Sequence, residues 1–397
     1  MLLASALGFV KLLALAYVLP SDEFGRYVTY FGVASFVSVF VSFGLNEKTI
    51  KDYPRRWAVG DRKSILNDAI KAEGILGVRF LIIGTIALGI SYFDLINIGP
   101  QAIILMTVLA LSTSLLTLIA SLYRAVGSQL KLQNFTLLRS VGVFSFAMAG
   151  GSLLGWQGAI AGDTLGGVIG LGFSLWQLPS LCRDQPSLVS KTSGLSATEN
   201  GHYQIYFANL VVAPQSMLDK AWISNIIGPV FAGSYGVVML IPQVVQLLAN
   251  VVVQHIGPLV IKLVHLDQST THRQNTIAFN AAMLGVFSLV LTATALLAKR
   301  IPYLNHLFIK YEISDFSLVM VGVIACSQIY GLIEFHLIAR DREQDILKAS
   351  IASFIIFIIS FSLAAEFKAG VEWFLAGIGA ARWGQVWLLR RAYLRYA

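Results

Sequence analysis

Two lysines, Lys11 and Lys220, stand inside apolar runs about 209 positions apart, each about nine residues ahead of a proline. Each is followed by a Gly-x-Tyr triplet that opens the next run, Gly25-Arg26-Tyr27 and Gly233-Ser234-Tyr235. An ammonium group deep in an apolar helix is costly, so matched lysines in both halves point to a charged interior. The chemistry such groups offer is electrostatic capture of an anion. Arg382 lies near the middle of the last apolar run, and Arg79 and Arg139 lie about five residues inside theirs, where snorkelling to the interface competes with lining a cavity. Lys11, Lys220, Arg382, Arg79 and Arg139 are therefore the candidate substrate-binding residues. Asp163 and Asp219 are the embedded acids, candidates for coupling or ion pairing. For the lysines the competing reading is an internal ion pair, such as Lys220 with an acid of a neighbouring helix. Ser216 and Ser224 fall four residues before and after Lys220, which predicts a polar stripe on one helical face.

Bond-making chemistry has no comparable support. The longest polar loops, 46–73 and 179–202, are too short for a folded catalytic domain and carry neither paired carboxylates nor an Arg-His group. No enzyme, cofactor or metal site is expected. Gly158, Gly162, Gly166 and Gly170 look like a phosphate loop, but their every-fourth spacing inside an apolar run is the small-residue face of closely packed helices. Histidines 255, 265 and 272 are irregularly spaced, so a ligand role is not expected. Cys182 falls in an inner loop and Cys326 in a span, so no disulfide is expected. Asn134-Phe135-Thr136 matches a glycosylation acceptor on the side of the membrane where it cannot be used.

The elements that must position these charges follow from composition. The chain has 397 residues, 56% hydrophobic and 13% charged, with a mean hydropathy of +0.72, which is too apolar for a water-solvated globule. Its continuous apolar runs of about twenty residues are membrane-spanning helices; barrel strands would alternate over about ten. About twelve spans are expected, near 2–19, 27–45, 74–92, 101–122, 135–153, 157–178, 203–227, 231–254, 276–297, 316–338, 347–364 and 371–389. Tight hairpins are expected at Leu154 to Trp156, at Gly228-Pro229 and around Glu366-Phe367-Lys368. With the N-terminus inside, inner loops and tail hold about nineteen of the 29 Lys and Arg and outer loops about five, so both termini are expected in the cytoplasm. Residues 1–19 lack a basic leader and carry Lys11 where an uninterrupted apolar core should be, which argues against a signal peptide. The net charge of +8 is thus mainly a topology signal, and nucleic acid is not an expected partner. The inner loop 46–73 alternates signs and reads as a solvated basic connector, with an amphipathic helix on anionic lipid as the alternative.

The N-terminal order, an opening span, Leu19-Pro20-Ser21-Asp22-Glu23-Phe24-Gly25-Arg26-Tyr27, a span ending Phe43-Gly44-Leu45 and a basic loop, resembles bacterial polysaccharide-export flippases. These are the O-antigen and capsule-unit translocases of the multidrug/oligosaccharidyl-lipid/polysaccharide exporter superfamily. Asp219-Lys220 and the stretch Gly228 to Tyr235 extend the resemblance into the second half. It implies an all-α polytopic protein with two six-helix lobes, 1–178 and 203–397, joined by a cytoplasmic linker at 179–202 and related by a pseudo-two-fold axis along the membrane normal. It implies alternating access around a cationic central cavity, moving undecaprenyl-pyrophosphate-linked oligosaccharide from the cytoplasmic to the periplasmic leaflet of the inner membrane. Membrane lipid, a polysaccharide polymerase and a chain-length regulator would be its partners. Two alternatives stand beside it: a cation-coupled multidrug exporter of the same fold, and a non-transporting scaffold subunit of polysaccharide assembly.

Overall fold

The computed structural model describes residues 2–45, 49, 53, 62–92, 99–125, 128–181, 201–265, 270–340, 342–367 and 370–396. Half of the expected basic inner loop lies outside them, and its residues 62–73 are helical and not loop, because the helix of the third span begins at Arg62. Cys182, Lys368, most of the 179–202 linker and the side chains of His255, His265 and His272 also lie outside. The chain forms two compact units. The first holds residues 3–19 and 30–206, the second residues 20–29 and 207–397.

Every expected span lies mainly on helix, and among the described residues no strand occurs. The first unit is built from α1 (Leu2–Val18), the later part of α2 (Ser21–Ser42), α3 (Arg62–Tyr92), α4 (Pro100–Ala125) and the long α5 (Gln129–Leu181). The second holds the start of α2, then α6 (Gly201–Met217) from Phe207 on, α7 (Asp219–Ile226), α8 (Pro229–Val238), α9 (Leu240–His265), α10 (Thr270–Ala298), α11 (Pro302–Lys310), α12 (Asp315–Cys326), α13 (Gly331–Ala339), α14 (Glu343–Glu366) and α15 (Val371–Tyr396). Seven helices among the described residues are long and apolar enough to cross a membrane, or eight if the bent pair α8 and α9 is one span. The shortfall from twelve has visible causes. The apolar part of α1 is short, α5 contains two spans, α6 and α7 are separated at Leu218, and α15 carries Arg382, Arg390, Arg391 and Arg395.

Helix starts follow the local sequence. Asp22 and Glu23 occupy the first turn of α2, where carboxylates suit the positive end of the helix dipole. Pro229 and Pro302 sit at the first helical position, where a missing N–H removes nothing. The turn before α8 needs Gly228, whose φ of 108° a side chain would strain. Ser314 caps α12 by accepting from the Ser317 N–H at 3.0 Å. The expected hairpin at 154–156 is present: Leu154 and Gly155 leave helical geometry and fold α5 into two antiparallel arms. Along these arms Gly158 meets Gly150, Gly162 meets Phe146, and Gly166 meets Gly142 and Val143, all so closely that a Cβ would strike backbone. The every-fourth glycines are thus a helix-packing face.

Two details depart from the sequence reading. The polar stripe expected on one continuous helix is interrupted, since α6 carries Pro214 and ends at Met217. Pro214 lacks the N–H that would bond the Leu210 carbonyl, and the chain restarts as α7 at Asp219, with the Leu218 N–H still on the Pro214 carbonyl at 3.0 Å. His255, His265 and His272, expected in a loop, stand on α9 and α10, because these helices continue beyond their apolar cores.

The packing is that of a lipid-solvated protein. Leu81, Leu153, Val286 and Leu289 are all more than half exposed on helix exteriors, and water would make such faces prohibitive. Interior contacts are built from rings and small side chains. Tyr123 packs with Phe135, Leu116 and Ile119 in the first unit, and Ala349, Leu337 and Leu389 pack together in the second.

Candidate functional site

The first unit gathers three of the expected charges around one cavity of about 180 Å³. Lys11 of α1 donates from Nζ to Asp163 Oδ1 at 2.8 Å, and both residues are buried, at 5% and 3% exposure. The same ammonium lies 5.0 Å from the centre of the Phe31 ring. Arg139, on the first arm of α5, lines this cavity with Lys11 and Asp163 and feels the field of Asp163. Gly170 makes room for the Arg139 stem: a Cβ there would lie 3.0 Å from Arg139 Cβ. Ser112 and Thr113 of α4 and Ser140 of α5 complete the polar lining.

The second unit assembles a different cluster. Asp219 opens α7 and is fully buried; its Oδ1 accepts from Lys220 Nζ at 3.0 Å and from the Lys220 backbone N–H at 2.9 Å. Its Oδ2 accepts from Tyr235 Oη at 2.6 Å. Lys220 also donates to the Ser216 carbonyl at 3.3 Å and lies 5.6 Å from the Tyr235 ring centre. Arg382 of α15 is buried and acts electrostatically on Tyr235 and on Glu334 of α13. The Gly-x-Tyr triplets meet in this unit: Gly25 lies against Pro229 and Gly233, and the Gly233 face contacts Ser21, Gly25 and Tyr311. Burial pushes the Tyr311 phenol, which follows α11, above its ordinary range. Tyr27 and Tyr235 are both fully buried there.

The lysines are thus ion-paired, although the partner of Lys220 is the adjacent residue and not an acid from another helix. Arg79 does not join either cluster; its Nη1 donates to the Val41 carbonyl at 3.1 Å and its guanidinium lies 5.7 Å from the Phe43 ring centre. Glu334 was missed by the sequence reading, although an acid inside the run 316–338 carries the same signal as Asp163. Ser353 Oγ, bonded to Gln215 Oε1 at 3.1 Å and to the Ala381 carbonyl at 3.0 Å, has no such signal in one dimension. Among the described residues no group of three His, Cys, Asp or Glu side chains is arranged to hold a metal ion.

No protein-family model and no curated protein matches the chain. Solved structures do match over nearly its whole length. One is the inward-facing conformation of a multidrug resistance MATE family transporter of the MOP superfamily, with a TM-score of 0.66 at 12% identity, covering 98% of this chain and 93% of that one. A mutant of the Vibrio cholerae MATE transporter VcmN matches with a TM-score of 0.64 at 13% identity, over 100% and 98% of the two chains. A third is a MOP superfamily transporter from Pyrococcus furiosus, described as having a binding pocket of reversed polarity that suggests a different function. It matches with a TM-score of 0.60 at 12% identity, over 99% and 92%. The fold is that of the MATE transporters.

Proposed function

We propose that the chain is a multi-pass transporter that works by alternating access and handles an anionic substrate. The fold supports transport, since its solved relatives include inward-facing and outward-facing transporter conformations. The observation that carries the anionic reading is the state of the buried charges. Asp163 is taken by Lys11, and Asp219 by Lys220 and Tyr235, while the buried Arg382 and the half-buried Arg139 and Arg79 add positive charge within the helices. Held acids offer little to a cationic drug, whereas surplus cations suit a phosphate-bearing headgroup. The finer form of this reading is a flippase for undecaprenyl-pyrophosphate-linked oligosaccharide in the bacterial inner membrane, with both termini cytoplasmic and a polysaccharide polymerase and chain-length regulator as partners.

A second reading, cation-coupled multidrug export, is favoured by the identity of the fold neighbours, two of which are described as multidrug resistance transporters. One pair of assays separates them. Expression in a strain lacking its own lipid-linked-oligosaccharide translocase should restore surface polysaccharide under the first reading. Expression in an exporter-deficient strain should raise resistance to cationic dyes under the second. Restored resistance without restored polysaccharide would overturn the anionic reading, and failure of both would count against transport.

A further inference from the structure

The first-unit cavity carries a charge imbalance. Lys11 and Arg139 line it against a single acid, Asp163, so the two cations outnumber the acid at its wall. Arg139 makes no hydrogen bond or salt bridge among the described residues, although its guanidinium offers five N–H donors in a planar fork. A surplus positive charge among apolar helices is unfavourable until an anion neutralises it.

We propose that this cavity is a binding site for one anionic oxygen group, a phosphate or carboxylate, gripped by the Arg139 fork beside Lys11. Asp163 holds Lys11 in place and limits the affinity. The cavity's volume of about 180 Å³ suits a single headgroup group and is too small for an oligosaccharide. Thr113 and Ser140 supply hydroxyls at its wall. Gly8 supplies the space: a Cβ built on it meets nothing within 4 Å. The proposal deepens the anionic-substrate reading, but its test requires no transport.

The full-length protein in nanodiscs of zwitterionic lipid is titrated with inorganic phosphate by isothermal calorimetry. Wild type should bind saturably. Arg139→Gln should weaken binding by at least about tenfold, the loss of a charge-assisted bond. Gly8→Leu should do the same by filling the cavity without touching a charge, which guards against a variant that merely misfolds. Asp163→Asn should bind more tightly than wild type, a change of sign that a purely structural role for the triad does not produce. Dodecyl phosphate distinguishes the source: tighter binding than inorganic phosphate supports a lipid-linked occupant, and equal binding a free anion, with the site supported either way. Absence of saturable phosphate binding in the wild type, or unchanged binding in Arg139→Gln, would overturn the site. Failure of polysaccharide rescue alongside intact phosphate binding would sink the flippase reading alone.

Discussion

An ammonium at the centre of a membrane-spanning helix is unfavourable by about 2.5–3.5 kcal/mol on insertion scales. In this protein the Asp163 carboxylate, 2.8 Å away on another helix, offsets that penalty for Lys11. Removing one partner of a buried pair strands the other at about 3–5 kcal/mol. Lys11→Ala should therefore reduce the amount of monodisperse protein extracted from membranes, and adding Asp163→Ala should restore much of it. Size-exclusion profiles of a fluorescent fusion decide this, and an unchanged profile for Lys11→Ala alone would refute a structural role for the pair. In the second unit, Tyr235→Phe removes the 2.6 Å hydrogen bond to Asp219, a charge-assisted contact worth about 1.5–3 kcal/mol. A lowered thermal midpoint at unchanged expression is expected. The charged residues themselves were legible, because a Lys or Asp in an apolar run stands out in one dimension. The pairing of Lys11 with a residue 152 positions away was not, because sequence spacing carries no record of which helices touch.

At the scale of elements, the two arms of α5 approach as closely as backbone allows. Glycine at 158, 162 and 166 is required for this, since a side chain would enter the opposing backbone. Gly158→Leu should force the arms apart and sharply lower folded yield. Gly172→Leu, on the same arm but with nothing within 4 Å of its Cβ, should leave yield near wild type. Equal yields of the two variants, measured by size exclusion, would show that the arms do not depend on contact. This hairpin was legible from the short connection, Leu154 to Trp156, between two apolar runs, and its packing face from the every-fourth glycines. The interruptions at Leu218, at Met239 with its 43° bend, and at Ser327–Tyr330 were not, because an apolar run looks the same whether its helix is continuous or broken. Two prolines were the available signs: Pro214, a turn before the break at Leu218, and Pro242, three residues past the bend at Met239, where its missing N–H forfeits the helical bond to the Val238 carbonyl.

At the scale of the whole molecule, the apolar runs alone sufficed for an all-helical membrane protein, because the bilayer demands that each crossing satisfy its own backbone. Substrate choice is not legible at this scale, since one fold carries many sites and the charges at those sites differ between relatives. Orientation rests on a separate physical asymmetry, the retention of Lys and Arg on the cytoplasmic side. Half of the largest basic segment, 46–73, lies outside the described residues, and the segment expected on the opposite side holds Lys299, Arg300 and Lys310, flanking and ending α11. If the N-terminus is cytoplasmic, these two segments face opposite compartments after an odd number of crossings. With Cys182 and Cys326 replaced by serine, single cysteines at Arg56 and at Lys310 should react with an impermeant maleimide from opposite sides of sealed vesicles. In whole cells only the Lys310 position should label, and in inverted vesicles only Arg56. A segment misread as a span would change the parity and place both on one side, so same-side labelling would reject the twelve-span topology while leaving both charged clusters intact.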